Sequence, residues 1–296
     1  MQCHLQPAMP AKTPAAVLLS QLQATLPKRR GASVVTSSLS STELEAVRNA
    51  QASHSSDVPF ETVHVGGDQD CVDVTAADFA RLRRGALLAT DETLDSQALY
   101  LNDTCVDAWA KVTYWKDGVS GWGVLTFPSL LTTQIMRTDL GSLDMAALKR
   151  RLVKLFRGCR ATDAFELRAW VLPRCAGLHW TSVLIDFETQ QVLFVDSLGS
   201  SNSQLCQRGW TLLEAASQAL RGQSWDFTGW SWGSLGMLSP LQQNGHACAT
   251  FLPILLVRSI ALHVPLRPGH QWAGRELDRP RDQIVHELLE CWWEGW

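Results

Sequence analysis

Gly177–Gly199 reads GLHWTSVLIDFETQQVLFVDSLG, and Pro240–Leu252 reads PLQQNGHACATFL. The first stretch holds two apolar runs, WTSVLIDF (Trp180–Phe187) and QVLFVDSL (Gln191–Leu198). They are separated only by Glu188-Thr189-Gln190, so they predict a hairpin of two consecutive strands. His179 opens the first run and Asp196 lies near the end of the second, 17 positions later; Cys248 follows 52 positions further on. A thiol is a poor nucleophile until it loses its proton. An imidazole can take that proton, and a carboxylate can hold the imidazole in the right tautomer. Cys248 also opens CATFLPILLVRSI (Cys248–Ile260), an apolar run that predicts a buried helix. A helix N-terminus favours a thiolate through its free N–H groups and dipole. Order and spacing together suggest the thiol, base and orienting carboxylate of a cysteine peptidase.

Working outward, FELRAWVL (Phe165–Leu172) predicts a further strand before the hairpin, and SWDFTGW (Ser224–Trp230) is strand-like. Helical spacing predicts helices in LNDTCVDAWAKVTYW (Leu101–Trp115), LDMAALKRRLVKLF (Leu143–Phe156), LCQRGWTLLEAASQAL (Leu205–Leu220) and RDQIVHELLECWW (Arg281–Trp293). Asp103 or Thr104 is the expected cap of the first of these. VDVTAADFARL (Val72–Leu82) predicts a short strand and then a helix, with Thr75 as cap and Asp78 in the capping-box position. Helices at both ends with antiparallel strands between them give an α+β class.

Residues 1–68 read as a flexible N-terminal extension, rich in Pro, Ala, Ser and Thr, with one short helix at Ser41–Ala52 and a basic PKRR at Pro27–Arg30. Residues 69–296 read as the catalytic domain. The chain has 296 residues and a net charge of -3, which argues against a nucleic-acid partner. No apolar run reaches membrane-spanning length, and the N-terminus lacks a secretory pattern. Eight cysteines occur with no C-x-x-C pair, so zinc and thioredoxin patterns are absent and a reducing intracellular compartment, nucleus or cytoplasm, is expected. No metal or other cofactor is implied.

From about residue 70 onward the chain resembles the ubiquitin-like-protein-specific proteases, the SUMO-protease family of papain-like cysteine peptidases. The resemblance rests on VTAADFARL with YLNDTCVDAW, on LHWTSVLIDFETQQVLFVDSLG, on SPLQQNGHAC and on RPRDQIVHELLE. It implies a papain-like fold, with a central mixed or antiparallel sheet flanked by helices. It implies Cys248 as nucleophile, His179 as general base and then acid, Asp196 as orienting carboxylate, and Gln242 as oxyanion donor. Trp180 and Tyr100 become the two walls of a tunnel for a Gly-Gly tail, where the family usually has two Trp. The family usually has Asp-Cys-Gly at the nucleophile, whereas this chain has Ala247-Cys248-Ala249. The implied activity is a monomeric thiol peptidase or isopeptidase that cleaves after the C-terminal Gly-Gly of a SUMO-like modifier. The alternatives are a deubiquitinase, deneddylase or acetyltransferase on the same fold, or a pseudo-protease that only binds the modifier.

Overall fold

A computed structural model describes residues 9–24, 39–52, 62–65, 72–82, 101–116, 123–137, 144–157, 163–238, 241–242, 248, 271–272, 281–282 and 284–289. At its centre lie β4 (Ala169–Ala176), β5 (His179–Asp186) and β6 (Gln191–Val195), paired antiparallel in chain order. The predicted hairpin is therefore present. Asp186 Oδ1 closes its turn by accepting from the N–H groups of Glu188 (3.0 Å) and Thr189 (2.9 Å). Two short strands, β3 (Val124–Thr126) and β7 (Ser231–Ser234), run parallel to β4 and β6 at the two edges, so the five-stranded sheet is mixed, while β1 (Thr62–Val65) and β2 (Val72–Thr75) pair antiparallel in a separate ribbon.

Both faces of this sheet are covered, which is why its strands read as continuous apolar runs. Side chains alternate between the faces along a strand. Trp170, Leu172, Val183, Ile185, Val192 and Phe194 form one core with α5 (Ser129–Arg137), α6 (Met145–Arg157) and α7 (Ser203–Arg221). Gly209 lets α7 lie close to the sheet: a Cβ there would come within 2.7 Å of Val183 and 3.0 Å of Val192. Val171, Leu184, Leu193 and Val195 join the other core, with Val106 and Trp109 of α4 (Asp103–Lys116), with Cys248, and with Ile284, Val285, Leu288 and Leu289 of the predicted closing helix. The rest of the helix expected from Cys248 to Ile260 lies outside the described residues.

Three local expectations are corrected. The strand expected from Phe165 begins at Ala169, because Asp163 caps a 3-10 turn over Ala164–Glu166. SWDFTGW is not a strand: Trp225, Phe227 and Trp230 are taken up in an aromatic cluster with Phe165, Phe187 and Trp210. The cap of α4 is Asn102, whose Oδ1 accepts from Cys105 N–H at 3.0 Å, rather than Asp103 or Thr104.

Of residues 1–68, for which a flexible extension is expected, the described parts make contacts with the sheet and the closing helix. α1 (Ala15–Ala24) and the residues before it line the free edge of β7. Thr13 N–H donates to Trp232 O (3.0 Å), Trp232 Nε1 donates to Pro10 O (2.8 Å), and Leu18 is fully buried. α2 (Ser41–Ala52) is the predicted helix, and it buries Val47 and Ala50. Glu43 on α2 reaches His286 on the closing helix at 3.2 Å. A strand edge offers unpaired N–H and C=O groups, and the N-terminal chain satisfies some of them.

Candidate active site

The hairpin register carries His179 and Asp196 to one end of the sheet. β5 starts at His179, and Asp196 directly follows the last residue of β6. A tight turn then fixes Asp196: Gly199 N–H donates to Asp196 O at 3.0 Å, with Gly199 at φ +74. That left-handed backbone suits glycine, and a Cβ there would also strike Met237 Sδ.

The Asp196 carboxylate accepts from three donors: His179 Nε2 at 2.7 Å, Leu198 N–H at 2.8 Å, and the Ser200 hydroxyl. Burial pushes this carboxyl up, but the three hydrogen bonds and the imidazolium charge outweigh it, so the group stays below the ordinary carboxylate range. Asp196 is 2% exposed and His179 29% exposed. The bond to Asp196 first, and then the bond to Cys248, raise the His179 imidazole to about 9 against the opposing effect of burial. A ring raised so far favours its protonated form near neutral pH.

Cys248 is fully buried, in the same core as Trp180, and its Sγ donates to Leu178 O at 3.8 Å. Three other thiols are described. Burial raises Cys105 and Cys175, and raises Cys206 to about 11. Trp180 is 2% exposed, and its Nε1 donates to Leu101 O at 3.0 Å. Gln242 lies on β8 (Leu241–Gln242), which pairs in parallel with β9 (Gln271–Trp272). Tyr100, Ala247 and Ala249 lie outside the described residues.

The structure thus brings together His179, Asp196, Cys248 and Trp180. It adds Ser200, which sequence reasoning passed over. The available signal was the turn text Asp196-Ser197-Leu198-Gly199-Ser200, in which Asp precedes and Gly ends a β-turn. Among the described residues no group of three or more His, Cys, Asp and Glu side chains is placed to hold a metal ion. No helix among them is long and apolar enough to cross a membrane.

Comparison with solved structures gives the C-terminal Ulp1 protease domain in complex with Smt3, the yeast ortholog of SUMO. It matches with a TM-score of 0.61 and 19% identity, over 88% of this chain and 98% of that one. The chain has the fold of a Ulp1 protease domain. The Ulp1-like SUMO protease catalytic domain of Chaetomium thermophilum is also similar, with a TM-score of 0.57 and 19% identity over 86% of this chain and 90% of that one. Among curated proteins, a sentrin-specific protease of Caenorhabditis elegans is 30% identical over 95 residues, which is 32% of this chain. The match covers 14% of that relative's length. No family model matches the chain.

Proposed function

We propose that the chain is a thiol peptidase or isopeptidase that cleaves after the C-terminal Gly-Gly of a SUMO-like modifier, in deconjugation or in precursor maturation. The observation that carries this reading is His179 Nε2 held to the buried Asp196 carboxylate at 2.7 Å, with Cys248 as a second hydrogen-bond partner of the imidazole. The Ulp1-type fold and the likeness to a sentrin-specific protease support it.

The Cys248 thiolate attacks the carbonyl carbon of the modifier's terminal glycine. The oxyanion of the tetrahedral intermediate is met by the Gln242 side-chain amide and the Cys248 backbone N–H. His179 gives its proton to the leaving amine, and a thioester on Cys248 remains. His179, now neutral, takes a proton from water as the hydroxide attacks the thioester; the Cys248 thiolate is expelled beside the imidazolium, and the modifier leaves as a free carboxylate, its acid proton passing to solvent. Trp180 and Tyr100 form the walls that admit Gly-Gly because it lacks β-carbons. The protein acts as a monomer without a cofactor, in the nucleus or cytoplasm. Its catalytic domain spans residues 69–296, and the packed parts of residues 1–68 brace that domain.

The test is a panel of SUMO, ubiquitin and NEDD8 with electrophilic C-termini, with acetyl-CoA as a separate arm. A covalent adduct with SUMO that disappears in Cys248→Ala supports the reading. An adduct with ubiquitin or NEDD8 alone, acetyl transfer, or SUMO binding without an adduct refutes it.

A further inference from the structure

Trp180 is not held by the sheet alone. Its indole N–H donates to the carbonyl of Leu101, 79 positions earlier in the chain, and Leu101 is itself buried. The placement of that carbonyl is decided by the next residue. Asn102 Oδ1 caps α4 by accepting from Cys105 N–H (3.0 Å), while Asn102 Nδ2 donates to Asp78 Oδ1 at 2.6 Å. Asp78 sits on α3 (Ala76–Arg81) and is buried. Its other oxygen accepts from Thr75 N–H and Thr75 Oγ1, both at 2.8 Å. Cys105 Sγ closes the bracket by donating to Asp78 O at 3.4 Å.

A helix cap requires only one side-chain acceptor, and Ser, Thr or Asp would serve α4 as well. Asn102 supplies an acceptor to α4 and a donor to α3 together. The second bond is charge-assisted and short, the kind that fixes geometry. The consequence falls one residue away, on the carbonyl that accepts from the Trp180 indole.

We propose that Asp78 and Asn102 are positioning residues that fix the Leu101 carbonyl, and through it hold the Trp180 indole beside the His179–Cys248 pair as one wall of the substrate-tail slot. Neither residue touches the substrate. The inference rests on the Gly-Gly peptidase reading for its kinetic consequence, but not for the indole's position. When the bracket is broken, α4 keeps its cap and the indole loses its fixed partner. The slot then widens, binding of a Gly-Gly tail weakens, and discrimination against Gly-Ala falls.

The test uses the full chain and three variants. Asn102→Ser keeps a capping hydroxyl and is too short to reach Asp78. Asp78→Asn sets two amides against each other. In the double variant Asp78→Asn/Asn102→Asp the amide lies on the α3 side and the carboxylate on the α4 side, so every bond of the bracket can re-form with donor and acceptor exchanged. Each protein is assayed for kcat and KM on modifier precursors ending Gly-Gly and Gly-Ala. Each is also labelled with fluorotryptophan, and the Trp180 resonance is assigned by its loss in Trp180→Phe.

The expected result for either single variant is a KM for Gly-Gly raised about tenfold with kcat little changed, as for a lost binding interaction. The preference for Gly-Gly over Gly-Ala should fall, and the Trp180 resonance should shift or broaden. The double variant should recover KM, the preference and the resonance. A single variant that lowers Tm yet leaves all three readouts at wild-type values overturns the proposal, as does failure of the double variant to rescue. If the wild-type chain cleaves no ubiquitin-like precursor, the peptidase reading fails, and the Trp180 resonance alone decides whether Asp78 and Asn102 position the indole.

Discussion

Replacing Asp196 by asparagine removes a charge and keeps the shape of the site. The amide oxygen still accepts from His179 and Leu198, and the amide nitrogen faces the Ser200 hydroxyl, which can accept. What is lost is the stabilisation of the His179 imidazolium. Raising an imidazole from 6.5 to about 9 corresponds to at most about 3.5 kcal/mol, at about 1.4 kcal/mol per pH unit. Asp196 is the largest contributor and Cys248 the second. With His179 29% exposed, solvent screening leaves about 1–2 kcal/mol for the Asp196 share. The sign follows from the direction of the shift. A base whose folded value is raised adds its full stability below its unfolded value, near pH 6.5, and loses it as pH rises through about 9. Asp196 itself is depressed, so its contribution is lost only as pH falls below the ordinary carboxylate range. Thermal melts from pH 5 to 10 should therefore show the wild type above Asp196→Asn by roughly 2–8 °C at pH 5–6.5, with the gap closing by pH 9–10. In the rate profile, kcat/KM should fall about 5- to 30-fold at neutral pH, and the alkaline limb should move from near 9 toward 6.5. A melting difference that is flat across the whole range, with an unmoved alkaline limb, would refute the assignment of Asp196 as the imidazolium's partner.

Four further outcomes are expected. Cys248→Ala should abolish turnover while leaving the fold and modifier binding intact. The double variant Cys248→Ala/His179→Ala should be no worse than either single, because residues acting as a unit are non-additive; a multiplied loss in single-turnover assays would separate the two. Gln242→Ala should lower kcat about 10²–10³-fold with little change in modifier affinity, since its amide serves a charge that appears only in the transition state; steady-state kinetics beside a binding titration check this. Leu18→Ala should cost about 2–5 kcal/mol, because Leu18 is fully buried against the edge strand near Gly233. A denaturant midpoint unchanged from wild type would place the N-terminal segment off the sheet.

The parts of the protein written by local rules were legible in its sequence. A three-residue turn between two apolar runs forces a hairpin whatever else the chain does, so β5, β6 and the nearness of His179 to Asp196 followed from Gly177–Gly199 alone. The Thr75–Asp78 capping box likewise needs only four residues. What escaped reading depends on partners far away in sequence. Trp225, Phe227 and Trp230 have the composition of a strand, yet Trp225 stacks on Phe165, Phe227 on Trp210, and Trp230 packs edge-on against Phe187, and the ladder formed just beyond them at Ser231. The ten-residue helix at Ala15–Ala24 is too short to be stable alone in water, and the edge of β7 supplies the segment with a hydrogen bond at Thr13 and a place for Leu18. Asn102 reads equally well as an exposed loop residue or a cap until α3 brings Asp78 to its amide. The sequence by itself determined which groups are proposed to carry the chemistry and which of them share a hairpin. Only the tertiary structure decided how the base is charged, what anchors the indole beside it and which segment seals the sheet's edge, because those outcomes depend on burial and on partners tens to hundreds of residues apart.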